Sequence, residues 1–199
     1  MSNNESDWLG RAMDGDDEAF GMLVESYQKP VYSLCYRMLG TPTEAEDGAQ
    51  ETFLRAYKSL HRYDPSRSFA TWLLSIASHY CIDQLRKRRL ETFSINDEER
   101  AWMEPPDPGP NPEATTSQNE QLEAVRKLLD TLAGKDRAAV VMHYWHGLSY
   151  EEIAENLSLT VSAVKSRLHR ARRTMAEEWQ AQEQHSIQPE RIGHESPAF

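Results

Sequence analysis

Basic and hydroxyl side chains are concentrated between Val161 and Met175, near the C-terminal end of the chain. Val164, Leu168 and Ala171 recur there at helical spacing, so the polar side chains share the opposite face of a helix. Arginine and lysine donate to phosphates and guanine, and serine donates to several bases. The pattern therefore predicts a surface that binds duplex DNA. Its predicted DNA-contacting residues are Ser162, Lys165, Ser166, Arg167, His169, Arg170 and Arg173.

A short helix directly before this segment would hold it in place. Ser149 and Glu152 have the spacing of a capping box, which fixes where the short helix begins. Residues 157–159 form a tight connection, and Thr160 can cap the longer helix that follows. This order predicts a helix-turn-helix, whose second helix enters the major groove of DNA. The basic residues alone would favour the alternative of a solvated helix face.

The residue types that perform catalysis do not occur here at the spacing of a known site. The sequence has no HExxH motif, phosphate-binding loop, paired CxxC or nucleophile motif. His143 and His146 could face one metal ion, but no third ligand accompanies them. Cys35 and Cys81 lie in apolar helical surroundings, and we expect reduced core thiols there. The sequence predicts no enzyme activity, no cofactor and no metal.

The net charge of -10 conceals an alternation along the chain. Residues 19–90 and 121–175 are mildly basic, whereas residues 1–18, 91–120 and 176–199 are acidic. Because phosphate binding depends on local positive charge, the global value does not exclude a nucleic-acid partner. No apolar run approaches the roughly 20 residues that a bilayer span requires, so we expect a cytoplasmic protein without membrane insertion.

Apolar residues recur at three- and four-residue steps along most of the chain, and no segment alternates as a strand would. Thr43 and Glu46 predict a capping box at the start of the second helix. Prolines between Glu104 and Pro112 exclude helix there. The fold class is all-α, with two small helical domains joined by a flexible, acidic, proline-rich linker. The predicted helices are Glu18 to Leu39, Thr43 to Leu60, Phe69 to Arg89, Gln121 to Thr131, Lys135 to Trp145, Tyr150 to Asn156 and Val161 to Trp179.

Three segments together resemble the bacterial sigma factors of the sigma-70 superfamily, in the extracytoplasmic-function (ECF) group. Residues 148–157 with 164–172 resemble that family's domain 4, residues 45–57 resemble its polymerase-binding region, and residues 69–89 resemble the part of domain 2 that opens DNA. The resemblance implies a domain organisation with the following bounds: an N-terminal tail at 1–7, sigma domain 2 at 8–90, a linker at 91–120, sigma domain 4 at 121–179 and a C-terminal tail at 180–199.

The resemblance also implies roles for particular residues. Trp72, Ile76 and Tyr80 have the spacing of core positions, so base capture is assigned mainly to the loop at 63–68 and the polar face of the next helix. The residues implied in docking on core polymerase are Asp47, Gln50, Glu51, Phe53 and Leu54. Those implied in opening and capturing the minus-10 element are Tyr63, Asp64, Arg67, Ser68, Phe69, Trp72, His79, Arg86, Lys87 and Arg88.

The implied partners are the clamp helices and flap of core RNA polymerase, and promoter DNA in both double- and single-stranded form. An anti-sigma factor is a further partner that the resemblance leaves open. In this interpretation the protein directs promoter-specific transcription initiation, and the helix-turn-helix binds the minus-35 element. A stand-alone helix-turn-helix regulator is the alternative, but such a regulator would not need the segments at 46–57 and 69–89.

Overall fold

The computed structural model describes residues 3–94 and 116–187. Within these two ranges all regular structure is helical, which confirms the all-α fold. A 3-10 turn at Leu60–Arg62 follows the third helix. The helices are α1 (Asn3–Met13), α2 (Asp17–Leu39), α3 (Pro42–Ser59), α4 (Phe69–Ser94), α5 (Thr116–Asp130), α6 (Gly134–His146), α7 (Tyr150–Asn156) and α8 (Val161–Ile187).

Helix α2 is the centre of the N-terminal bundle and packs against α1, α3 and α4. Its N-cap is Asp16, whose side chain accepts from the backbone N–H groups of Glu18 and Ala19 at 3.0 and 3.1 Å, so two donors at the helix start are satisfied. Its C-cap is Gly40, where φ is 91°, a backbone conformation that glycine adopts without strain. The fully buried side chains of α2 include Leu34 and Met38.

Cys35 and Cys81 are buried free thiols, as the sequence predicted. A side-chain hydrogen bond to Cys35, together with burial, favours the protonated thiol and raises the pKa of Cys81 well above its usual range. No local pattern indicated that the two thiols are neighbours. Gly48 makes close packing possible here, because a Cβ atom at this position would lie 3.1 Å from the Cys35 Sγ atom.

The C-terminal domain packs against the N-terminal bundle through α6, which contacts both α2 and α4. Arg137 of α6 is 3% exposed and donates to the carbonyl oxygens of Met38 at 2.6 Å and Leu129 at 2.7 Å. Met38 is in the last turn of α2, where carbonyl groups lack partners inside the helix. A guanidinium from one domain therefore satisfies a backbone acceptor of the other.

Two further arginines donate to the same end of α2. Arg88 donates to the Leu39 carbonyl at 3.1 Å and also pairs with Glu44. Arg126 donates to the Gly40 carbonyl at 3.4 Å. Positive groups at a helix C-terminus also interact favourably with the helix dipole. The end of α2 is thus an acceptor site for arginines from α4, α5 and α6.

Several predicted boundaries differ from the structure. Residues 1–7 were assigned to a tail, but α1 begins at Asn3, and its Leu9 and Ala12 are buried in the core. The predicted linker at 91–120 is shorter at both ends because α4 continues to Ser94 and α5 begins at Thr116. Helix α8 continues to Ile187, beyond the predicted end at Trp179. The proline-rich stretch and residues 188–199 lie outside the described residues.

The N-terminal cap of α3 was also predicted at the wrong residue. The cap is Thr41, whose hydroxyl oxygen accepts from the Glu44 backbone N–H at 3.3 Å, while its hydroxyl donates to the Glu44 carboxylate at 2.6 Å. Pro42 is the first helical residue, a position where its missing N–H has no consequence. Thr43 is therefore inside the helix and exposed.

Among the helices of the described ranges, none combines the length and apolar character that crossing a membrane requires.

Candidate nucleic-acid interface

Helices α7 and α8 form the helix-turn-helix that the sequence predicted. The Ser149 hydroxyl oxygen accepts from the Glu152 N–H at 3.2 Å, and the Glu152 carboxylate accepts from the Ser149 N–H at 2.8 Å. Both halves of the capping box are therefore present. The connection turns at Ser158, which has a φ of 52°. Thr160 then caps α8 by accepting from the Ala163 N–H at 3.1 Å.

One face of α8 is buried and the other is open to solvent. Val164, Leu168 and Ala171 are at most 2% exposed and pack in the core. Most of the predicted DNA-contacting side chains are exposed on the opposite face: Ser162, Lys165, Ser166, His169, Arg170 and Arg173. This face can approach a DNA groove without any rearrangement of α8.

Arg167 is the exception among the predicted DNA-contacting residues. Its side chain is 27% exposed and donates to the Asp136 carboxylate of α6 at 2.5 Å. The Asp136 side chain is itself only 16% exposed, and its other oxygen lies 3.9 Å from Arg170. Arg167 therefore ties α8 to α6, whereas Arg170, at 61% exposure, remains accessible to DNA.

The predicted base-capturing loop rests on a group of packed aromatic rings. Tyr63 is 3% exposed and Phe69 is 1% exposed. Their ring centroids are 5.6 Å apart, and Trp72 packs against both. Because they are buried, Tyr63 and Phe69 are not accessible for stacking on a base in this conformation, and their contact with DNA stays a prediction. The Tyr63 hydroxyl donates to the Arg67 carbonyl, which fixes the loop.

The polar residues of this loop lie at the surface, next to α7. Asp64 accepts from the Ser66 N–H at 2.9 Å, which lowers the pKa of the Asp64 carboxyl. Arg67 pairs with Glu155 of α7. The Thr71 hydroxyl, in the first turn of α4, donates to Glu152 at 2.9 Å. The loop that sequence analysis assigned to single-stranded DNA is thus in contact with the helix-turn-helix.

The predicted minus-10 residues along α4 have different surroundings. Trp72 is half-buried against the core, and so are Ile76 and Tyr80, as their spacing predicted. His79 is exposed, with Nδ1 2.8 Å from the Ser75 carbonyl oxygen. Arg86 is 73% exposed and lies 3.3 Å from Asp83. Lys87 is exposed, whereas Arg88 is turned toward Leu39 and Glu44. The structure does not bring Arg88 to the loop.

The predicted polymerase-binding residues lie on the outer side of α3. Asp47, Gln50 and Leu54 are exposed, with Leu54 at 48%. Gln50 and Phe53 line a groove of about 560 Å³ between α2 and α3. Glu51 accepts from Arg55 at 2.7 Å. An open groove with apolar and polar walls matches the composition of a protein-docking surface.

The acidic partners of these basic and hydroxyl side chains could not be recognised from the sequence. Asp136 pairs with Arg167 of α8, Glu152 accepts from the Thr71 hydroxyl of α4, and Glu155 pairs with Arg67 of the loop. Periodicity cannot identify such pairs because the partners are distant in sequence. The burial of Arg137 could have been predicted from its spacing, since it occupies the apolar stripe of its helix four residues before Val141.

His143 and His146 form no metal centre with other residues of the part of the chain that the structure describes. Across residues 3–94 and 116–187, no group of three or more histidine, cysteine, aspartate or glutamate side chains could hold an ion. The Nδ1 atom of His143 lies 3.1 Å from the Leu148 carbonyl oxygen. Burial, with a smaller effect from Arg37, lowers the pKa of His146 to about 4.

The fold and this surface define an all-helical DNA-binding protein with a helix-turn-helix in its C-terminal domain. Family models match on both sides of the linker, Sigma-70 region 2 over residues 23–91 and Sigma-70, region 4 over residues 122–175. The chain is 38% identical over 168 residues to the ECF RNA polymerase sigma factor SigW of Bacillus subtilis (strain 168), which covers 81% of this chain and 89% of that protein. It is 32% identical over 167 residues to the RNA polymerase sigma-H factor of Pseudomonas aeruginosa, covering 81% and 86%.

Two solved structures have the same fold. CnrH in complex with the cytosolic domain of CnrY is 26% identical, with a TM-score of 0.64, and the match covers 90% of this chain and 99% of CnrH. RpoE of Bartonella quintana, in complex with the anti-sigma factor NepR, is 22% identical with a TM-score of 0.64, covering 79% and 94%. The chain belongs to the ECF group of the sigma-70 family. Its function is therefore that of a sigma factor in transcription initiation, and it is not an enzyme.

Proposed function

We propose that this sigma factor binds duplex DNA, single-stranded DNA and core polymerase through three different surfaces of the described structure. The exposed face of α8 binds the minus-35 duplex, the loop at 63–68 with α4 captures the opened minus-10 strand, and α3 docks on core polymerase. The observation that carries this proposal is the capped helix-turn-helix, whose buried stripe leaves six predicted contact residues exposed.

Support for minus-35 binding comes from the chemistry of α8. Lys165, Ser166 and His169 lie in the first half of the helix and are exposed, and the N-terminal part of a recognition helix contacts base edges. Arg170 and Arg173 follow along the same helix and can donate to bases or phosphates. Arg167 is assigned to holding α8 against α6.

Support for strand capture comes from the exposed part of the loop and of α4. Single strands are held by basic tracks and stacking surfaces. Arg67, Arg86 and Lys87 supply positive charge, and Ser68 and His79 supply exposed hydrogen-bonding groups. Half-buried Trp72 is the one predicted aromatic ring of this set that is not enclosed in the core.

The groove beside α3 supports polymerase docking. Phe53 and Leu54 offer apolar contacts, and Asp47, Gln50 and Glu51 offer acceptors around them, a combination that suits a helical hairpin of another protein. Since this activity and the DNA contacts operate on the chromosome, we place the protein in the bacterial cytoplasm. The similarity to CnrH, which was solved with the cytosolic domain of a second protein, supports an anti-sigma factor as a further partner.

Run-off transcription with purified core polymerase tests this proposal. The full chain should give promoter-specific transcripts from a promoter of its own genome, and Leu54→Arg should abolish them because it places a charge in the docking face. Leu122→Arg is the matched control, since Leu122 is an exposed leucine, at 63%, outside the three surfaces. A chain that binds duplex DNA but yields no transcript with any candidate promoter would support the stand-alone regulator instead.

A further inference from the structure

One cation on the exposed face of α8 has a different kind of neighbour from the others. Arg167 and Arg170 lie 2.5 and 3.9 Å from the carboxylate of Asp136. The ammonium of Lys165 instead lies over the ring of Tyr150, with its Nζ atom 5.9 Å from the ring centroid. This distance is within the range of a cation–π interaction. A lysine on the predicted DNA-binding face is therefore held by an aromatic ring of α7.

A ring and a carboxylate have different effects on a cation that has to bind DNA. A carboxylate oxygen accepts from the same N–H donors that a phosphate or a guanine would use. The face of a ring attracts an ammonium electrostatically, but it carries no net charge and leaves those donors available. Lys165 therefore keeps its charge and its donors, while the movement of its flexible four-carbon stem is restricted.

Tyr150 is itself fixed by its neighbours in α6 and α7. It is the first residue of α7 and follows the Ser149 cap directly, so the capping box sets where its side chain leaves the backbone. Its ring packs on the ring of His143 in α6, with the two centroids 5.0 Å apart. The Nδ1 atom of His143 lies 3.1 Å from the Leu148 carbonyl oxygen, which holds the imidazole in place. Side chains of α6, α7 and α8 thus meet at Tyr150.

We infer that Tyr150 is a positioning residue for promoter recognition, and that its ring orients Lys165 for contact with the minus-35 duplex. Lys165 is the fifth residue of α8 and is exposed, and the N-terminal part of a recognition helix contacts base edges. A side chain that is oriented before binding loses less conformational freedom when the complex forms. The inference rests on the proposed binding of this duplex by α8, and it deepens that proposal because Tyr150 lies outside α8.

The first experiment measures the affinity of the full chain for a minus-35 duplex from its own genome, by fluorescence anisotropy at fixed salt. Tyr150→Leu should weaken binding roughly two- to fivefold, which is the effect expected from one solvent-accessible cation–π contact. Tyr150→Phe should bind as tightly as the unchanged protein, because it lacks only the hydroxyl and keeps the ring. Equal losses for the two variants would overturn the inference, since the hydroxyl would then be responsible.

A double-mutant cycle in the same assay tests whether Tyr150 acts through Lys165. In the Lys165→Met background, Tyr150→Leu should cause no further loss of affinity, because the ammonium that the ring orients is absent. A loss of the same size in both backgrounds would mean that Tyr150 only supports packing, and would refute the positioning role. Tyr144→Leu is the matched control and should leave the affinity unchanged: Tyr144 is an exposed tyrosine of α6 that also packs on His143, at 4.9 Å.

The second experiment observes Lys165 in the full chain without DNA, by NMR of isotope-labelled lysine. The protons next to the ammonium should show a ring-current shift, because the ammonium lies over the Tyr150 ring, and Lys165→Arg identifies their signals. Tyr150→Leu should move these signals to the positions typical of exposed lysines, whereas Tyr150→Phe should leave them in place. Identical Lys165 signals in the unchanged protein and in Tyr150→Leu would contradict the contact.

These outcomes are separable from failure of the proposed function. The lysine signals report only on the contact between Tyr150 and Lys165, and the run-off assay reports only on polymerase-dependent initiation. A chain that binds the minus-35 duplex equally well with and without the Tyr150 ring would refute the positioning role and leave the proposed function in place. Failure of the unchanged chain to bind any minus-35 duplex would instead refute the role of α8, and the inference with it.

Discussion

Among single residues, arginines with the same chemistry have different roles because their surroundings differ. Arg167 and Arg170 are three residues apart on α8, and both lie within 4 Å of Asp136. Arg167 is mostly enclosed and makes the short contact, whereas Arg170 is exposed at the longer distance. The local sequence predicted that both contact DNA. Only the position of α6 separates the structural arginine from the accessible one.

Arg170→Ala should weaken binding to the minus-35 duplex by about 1–3 kcal/mol, the range for loss of a specific base or buried phosphate contact. The free energy of unfolding should change little because Arg170 is exposed. Fluorescence anisotropy with the cognate duplex and a scrambled duplex measures the effect. Gln180→Ala, at an exposed position further along α8, is the control and should leave the affinity unchanged. An unchanged binding curve for Arg170→Ala would refute the assignment.

His146 should make folding stability depend on pH between about 6.5 and 4. Its pKa falls to about 4 in the folded chain, so the unfolded chain binds the proton more readily in this window. Stability is therefore fully present above pH 6.5 and is lost as the pH falls toward 4, by about 1–2 kcal/mol after allowance for partial exposure.

Urea unfolding at pH 7.5 and pH 5 checks this prediction. The His146 Nε2 atom is buried without a hydrogen-bond partner in the described part of the chain. His146→Leu should consequently fold about as stably as the unchanged protein at pH 7.5 and lose less stability at pH 5. A variant that shows the same loss between the two pH values would exclude His146 as the cause.

Among the helical elements, hydrophobic periodicity predicted seven because each has a stripe facing the core. It missed α1, a short helix whose burial depends on α2. The capping pattern also placed the N-cap of α3 two residues too late, because Thr43 and Glu46 have the same capping-box spacing as Thr41 and Glu44. Pro42 settles the choice, since proline is favoured at the first helical position.

Thr41→Ala should lower the free energy of unfolding by about 0.5–2 kcal/mol, because the Glu44 N–H loses its acceptor at the start of α3. Thr43→Ala is the matched control: it makes the same chemical change two residues away, inside the helix and exposed to solvent. Its stability should be unchanged or slightly higher, since alanine has the better helix propensity. Urea titration of both variants measures the difference, and a larger loss for Thr43→Ala would restore the sequence-based cap.

In the molecule as a whole, the two domains are joined through the end of α2. Arg137 is buried and donates to Met38 of the other domain. Arg126 reaches Gly40 at a longer distance, with a side chain that is 31% exposed. The buried arginine should therefore account for most of the coupling, because a buried acceptor that loses its donor cannot turn to water.

Arg137→Ala should lower the free energy of unfolding by about 2–4 kcal/mol, since it leaves the Met38 and Leu129 carbonyls without their donor. Arg126→Ala should lower it by less than about 1 kcal/mol, as expected for a partly exposed ion pair with Glu123. Chemical denaturation of the two variants gives the comparison. Equal losses would mean that the end of α2 does not depend on the buried guanidinium.

The amino-acid sequence was sufficient to predict the all-α class, the helix-turn-helix and the exposed face of α8. These features depend on periodicity and on caps such as Ser149 and Thr160, whose partners lie within four residues. Only the tertiary structure shows that Arg137 joins the two domains and that Glu155 forms an ion pair with Arg67. Such contacts depend on how helices pack at long range, and one sequence without its fold contains no local signal for which arginine meets which carboxylate.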